Sequence, residues 1–188
     1  MEFTALFFAA LTENWTIWML SGILVLAAVI DGRQLRVPNW LTLPLVLSGW
    51  LYHLASSGPE GLVASLLGTA AGLALLLPAY VIGGMGAGDV KLLAGVGAWV
   101  HAVHTLGAFV ISAIVGGVLA VALVLLSSHW RKHWDNLCVI AMEIMTVRDP
   151  EQLACLAAQR KSSMLLLPYG IPLMIGTIAY FAWKRMLM

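Results

Sequence analysis

The sequence predicts an all-α membrane protein, a single domain over 1–188 built as a bundle of about six transmembrane helices, and three observations carry that prediction. Hydrophobic residues fill 61% of the chain against 10% charged, with a mean hydropathy of +0.93. Soluble domains hold about 25% charged residues, so this chain lacks the polar groups to cover itself in water. Several stretches run for about 20 residues without Lys, Arg, Asp or Glu, the length a helix needs to cross the hydrocarbon layer. None of them alternates with period two as a membrane barrel strand does, and only helices or closed barrels satisfy their backbone in lipid.

Taken in order, the spans are expected at roughly 15–31, 39–55, 61–82, 90–104, 106–128 and 164–183. Met1 to Leu11 is apolar with no Lys or Arg before it, so it reads as a lead-in to the first span and not as a signal peptide. Gly68 and Gly72 form a G-x-x-x-G in the third span, and Gly116–Gly117 give the fifth a flat patch; both suit close helix contacts. Trp15, Trp18, Trp40, Trp130, Trp134 and Trp183 fall near span ends as interfacial anchors. Residues 129–163 form the one sizeable non-spanning segment. His129, Arg131, Lys132, His133 and Asp135 open it, and Asp149-Pro150-Glu151 begins a helix. It is expected to be a cytoplasmic or interfacial helical insertion on the inner surface.

Orientation follows from the cations. Arg33, Arg36, Lys91, Arg131, Lys132, Arg148, Arg160 and Lys161, eight of the ten Lys and Arg, fall in the first, third and fifth connections, which share a side in a six-span protein. That side is expected to be cytoplasmic. Lys184 and Arg185 are the two exceptions. The net charge of +1 without a basic run argues against nucleic acid. Cys138 and Cys155 form no C-x-x-C, which leaves no thiolate zinc site. His101 with His104 and His129 with His133 lack the acid of a zincin motif and read as interfacial histidines. No metal and no cofactor are expected.

Acids near membrane depth are costly and therefore informative. Asp31 ends the first apolar run; Asp89 follows the glycine-rich stretch Gly83-Gly84-Met85-Gly86-Ala87-Gly88. Both fall at the cytoplasmic ends of their spans. Asp89 alone is also explained as the N-cap of a helix. Asp31 sits at a helix C-terminus, where the dipole disfavours a carboxylate, with Arg33 or Arg36 as a competing ion-pair account. Two carboxylates brought together are the machinery of aspartic proteolysis. Like charges so close cannot both ionise, and the pair holds one proton. The ionised member takes a proton from water while the protonated one polarises the scissile carbonyl. Glycines beside Asp89 would let a substrate backbone approach.

These residues match a known pattern. Gly86-Ala87-Gly88-Asp89 is a G-x-G-D motif, and with Gly83 to Leu92 around it the stretch resembles type IV prepilin peptidases, a family of intramembrane aspartic proteases. Asp31 to Asn39 is similar to that family's Asp followed by Ile-Pro-Asn, with Val37 in place of Ile, and Pro168-Tyr169-Gly170-Ile171-Pro172 is similar to its Pro-Tyr-Gly element. The three matches lie in the family's order. The resemblance implies that Asp31 and Asp89 are catalytic, and that Gly86, Gly88, Lys91, Pro38, Asn39, Tyr169 and Gly170 shape the site or bind substrate. It implies cleavage, after a glycine, of basic leaders from prepilins or pseudopilins at the cytoplasmic face of a bacterial inner membrane. The absence of a four-cysteine region before Asp31 points to the shorter, peptidase-only branch of Flp-type systems, without methylation. The alternatives are an ion-coupled transporter or channel using Asp31 and Asp89 as ion sites, and a membrane scaffold in which the two acids are only cap and ion pair.

Overall fold

The computed structural model describes residues 14–81, 85–126 and 169–187, with Val139, Met142, Thr146 and Gln152 as isolated positions. Within them lie four helices: α1 (Trp15–Gln34), α2 (Asn39–Val81), α3 (Ala87–Leu126) and α4 (Gly170–Trp183). The expected six separate spans are therefore not what the structure has. Three helices are long and apolar enough to cross a membrane, and α4 is a shorter apolar helix. The difference arises because the connections expected near 56–60 and 105 contain no loop. One residue does the turning in each.

In α2 that residue is Gly58, at φ 64° and ψ −154°, a region essentially reserved for glycine. Pro59 follows, pre-set for the first turn of a new helical run. Trp50 Nε1 donates to Thr69 Oγ1 at 2.9 Å, whereas a straight helix would separate these residues by about 28 Å. The chain doubles back. In α3 the turning residue is His101, at φ 63° and ψ 175°. Asp89 and Gly116 both lie beside Tyr169, although a straight helix would hold them about 40 Å apart. Each long helix is thus a pair of limbs.

The first limb of α3 is the axis of the molecule. From Asp89 to Val100 every residue except Lys91 is buried. The first limb of α2 runs parallel to it, with Leu45 against Gly95 and Gly49 against Ala98. The second limb of α2 runs antiparallel, with Gly68 against Gly97 and Gly72 against Leu93 and Ala94. The G-x-x-x-G expectation holds there, because no Cβ would fit at either glycine. The second limb of α3 packs antiparallel on α4 through Gly107 on Tyr180, Ser112 on Gly176 and Gly116 on Pro172. Gly117 has nothing near it, so only half of the expected flat patch is used.

On α1 the buried residues are Ile17, Leu20, Ser21, Leu24, Ala27, Ala28 and Asp31, a single stripe at helical spacing. Asp31 therefore belongs to the face that packs inward. Leu43, Leu47 and Leu51 on α2, and Val110, Ile114, Val118 and Val121 on α3, form exposed apolar stripes outside, a surface suited to lipid. Trp15, Tyr52 and Trp99 cluster at one end of the bundle. Asp31, Val37, Gly88, Asp89 and Tyr169 meet at the other.

Candidate active site

Four chain segments build the carboxylate end. The first is the end of α1, where Leu35 turns left-handed at φ 51° and its N–H donates to the Asp31 carbonyl at 2.7 Å. This turn exposes Arg36 and buries Val37. The Pro38 carbonyl then accepts the Leu41 and Thr42 amides, opening α2. The third segment is the start of α3. The Asp89 N–H donates to the Gly86 carbonyl at 3.2 Å, and the helix already begins at Ala87. Asp89 is thus a first-turn residue and not the N-cap. The fourth is Tyr169-Gly170 at the start of α4.

Glycine is required here for close approach. A Cβ on Gly88 would lie 2.7 Å from the Val37 carbonyl oxygen and 2.9 Å from the Val37 Cβ. A Cβ on Gly170 would lie 2.9 Å from Asp31 Oδ2. Both distances are inside any tolerable contact, so each glycine lets one segment seat against another. The Gly88 seat joins the connection after α1 to the start of α3. Lys91 Nζ reinforces it by donating to Asn39 Oδ1 at 2.8 Å.

The outcome is two acids from distant parts of the chain at one place. Asp31 is 3% exposed and Asp89 7%, and they are near enough to act on each other electrostatically. Asp31 Oδ2 accepts the Gly170 N–H at 2.8 Å. That bond accounts for a carboxylate near a helix C-terminus, because the amide of another helix's first turn receives it; Arg33 and Arg36 are exposed. Among the described residues Asp89 Oδ1 is buried with no hydrogen-bond partner, while the Gly86 backbone stabilises the carboxylate beside Oδ2. Tyr169 is half-buried, close to Asp89 and packed toward Gly116.

Of the residues singled out in the sequence, Asp31, Asp89, Gly86, Gly88, Tyr169 and Gly170 converge on this place. Pro38, Asn39 and Lys91 form its rim. His101 and His104 lie at the opposite end, where His101 faces His53 with ring centroids 4.5 Å apart and His104 Nδ1 meets the Tyr180 hydroxyl at 2.9 Å. Gly83, Gly84, Pro168, Cys138, Cys155, His129, His133 and most of the 129–163 segment lie outside the described residues. Sequence reading missed two contributors. Val37 was noted only as a variation of motif, yet it carries the Gly88 contact. Gly116 backs Tyr169, and its small size next to another glycine was the only available signal.

The sequence pattern of the type IV leader peptidase family matches residues 18–121, more than half of the chain. The chain is 34% identical over 129 residues to a prepilin leader peptidase/N-methyltransferase of Aeromonas salmonicida, covering 63% of this chain and 44% of that protein. It is 30% identical over 149 residues to one of Neisseria gonorrhoeae, covering 72% and 51%. The leader peptidase HopD of Salmonella typhimurium is 39% identical over 89 residues, covering 44% and 56%. The matched stretch thus spans about half the length of these relatives. No solved structure matches the chain. With both acid-bearing segments inside the matched residues, the chain belongs to the type IV leader peptidase family.

Proposed function

We propose that the protein is an aspartic prepilin peptidase that uses Asp31 and Asp89 as its catalytic pair. The observation that carries this reading is the meeting of two buried carboxylates, from α1 and α3, at one end of an apolar bundle. Family membership supplies the reaction class, hydrolysis of a leader from a prepilin or pseudopilin. A prepilin presents a basic leader followed by an apolar helix, so its scissile bond sits where membrane meets cytoplasm. Carboxylates at one end of the bundle hold catalyst and bond at a common depth, which is the positioning part of catalysis.

The cation distribution supports a cytoplasmic carboxylate end in a bacterial inner membrane. The Flp type of substrate is the narrowest part of the proposal and rests on the sequence resemblance alone.

The test is cleavage of a co-expressed Flp-type prepilin, read by gel shift and N-terminal sequencing. Wild type should cleave after glycine. Asp31→Asn and Asp89→Asn should each lose at least about a hundredfold in rate at unchanged membrane levels, since a general acid–base group contributes on the order of a hundred- to ten-thousandfold. Equal cleavage by all three proteins would remove the catalytic pair and return the ion-site reading.

A further inference from the structure

We propose that the Gly170 amide, at the N-terminus of α4, fixes Asp31 as the general base, and that Asp89 carries the single proton of the pair. This rests on the peptidase reading above and deepens it. Asp89 stands in the first turn of α3, whereas Asp31 stands between the C-terminus of α1 and the N-terminus of α4, so the helix dipoles do not mark out Asp31 as the charged member. The hydrogen bonds do. Asp31 Oδ2 accepts a well-placed N–H at 2.8 Å, and a donated bond of this kind stabilises the ionised form. The Gly86 backbone stabilises the Asp89 carboxylate in the same sense, but its Oδ1 is buried with no partner among the described residues. A proton there displaces no bond and removes a charge that a buried oxygen without a donor leaves uncompensated.

Other charges do not reverse this asymmetry. Tyr169 is the further titratable group near Asp89. Lys91 is engaged by Asn39, and Arg33 and Arg36 are exposed.

The roles then follow in balance. Asp31 takes a proton from water, whose oxygen bonds to the scissile carbonyl carbon. The carbonyl π pair moves to its oxygen, which takes the proton from Asp89. In collapse, the gem-diol returns a proton to Asp89, the C–N bond breaks, and the leaving nitrogen takes the proton held by Asp31. Gly170 is a positioning residue in this scheme, touching Asp31 and not the substrate.

The test replaces Gly170 by glycolic acid, which deletes the N–H without adding an atom to the side chain. In the singly ionised pair Asp31 bears the charge, so withdrawing its donor disfavours the first ionisation. The acid limb of the kcat/KM profile should move up by on the order of one pH unit. The second ionisation leaves Asp31 charged on both sides, so the alkaline limb should stay. Movement of the alkaline limb alone would assign the proton to Asp31. Movement of both limbs or of neither would also overturn the proposal.

Infrared spectra of the purified protein give a readout independent of turnover. The band of a protonated carboxyl should persist in Asp31→Asn and vanish in Asp89→Asn, and the reverse pattern would sink the assignment. Cleavage by either asparagine variant would instead defeat the peptidase reading itself, so the two failures are distinguishable.

Discussion

The two ends of the first limb of α3 handle polar groups in opposite ways. At its C-terminal end the chain must turn, and the carbonyls this frees are capped by side chains. Ser65 Oγ donates to the Ala98 carbonyl and His53 Nε2 to that of Trp99 at 3.1 Å. Trp99 Nε1 is in turn received by the Leu45 carbonyl at 2.9 Å. At its N-terminal end the groups are held by backbone approach, Gly88 on Val37 and Gly170 on Asp31, and a buried carboxylate oxygen is left without a partner. One end is organised to finish helices. The other leaves a buried carboxylate oxygen unsatisfied among the described residues. His101 Nε2 is the exception at the capped end, buried and without a partner, and it belongs to the residue that bears the backbone strain.

The comparison is broken most severely by Gly88→Ala. The added Cβ meets the Val37 carbonyl and must push the start of α3 off the connection after α1. Cleavage should fall at least about a hundredfold, because misplacing reacting groups by about an ångström has that cost. An unchanged rate would show that the seat does not position Asp89. His53→Ala sharpens the contrast from the other side. It leaves the Trp99 carbonyl without its donor, which should cost about 1–3 kcal/mol of stability, seen as a lower Tm in detergent. Cleavage per folded molecule should not change, and a matching loss of activity would mean that the two ends are coupled. The smallest effect is expected from His101→Gly. Its backbone sits where only glycine is at ease, so thermal stability should rise by about 1 kcal/mol. A fall in Tm would show that the ring contact with His53 outweighs the strain.

How much of this was visible in the sequence depends on whether the cause was local. Asp31 and Asp89 stood out because an acid beside an apolar run is costly whatever surrounds it. The Gly58 turn was foreshadowed, since Gly followed by Pro ends one helix and starts another. A break near residue 105 was expected too, but its placement at His101 was not, because the turn is fixed by Ser65 and His53 on the Ala98 and Trp99 carbonyls and by Gly68 beside His101, all from other limbs. Hence the expected loops became single residues. The Gly88–Val37 seat and the Gly170–Asp31 bond join positions far apart in the chain, and local pattern cannot reveal them. The capping role given to Asp89 failed for the opposite reason. It was a sound local argument, displaced when the helix began three residues early, at Ala87.

The shortness of the central limb has a further consequence. From Ala87 to Val100 α3 rises about 20 Å, while the hydrocarbon layer is about 30 Å thick. In a bilayer the limb cannot reach from one headgroup region to the other, and the mismatch is met by thinning the lipid around it or by seating its end below the headgroups. Either response sets the carboxylate end of the bundle below the headgroup plane of the wider bilayer. On the proposed peptidase reading, a shortened strut would let water meet a substrate whose own helix never has to leave the lipid.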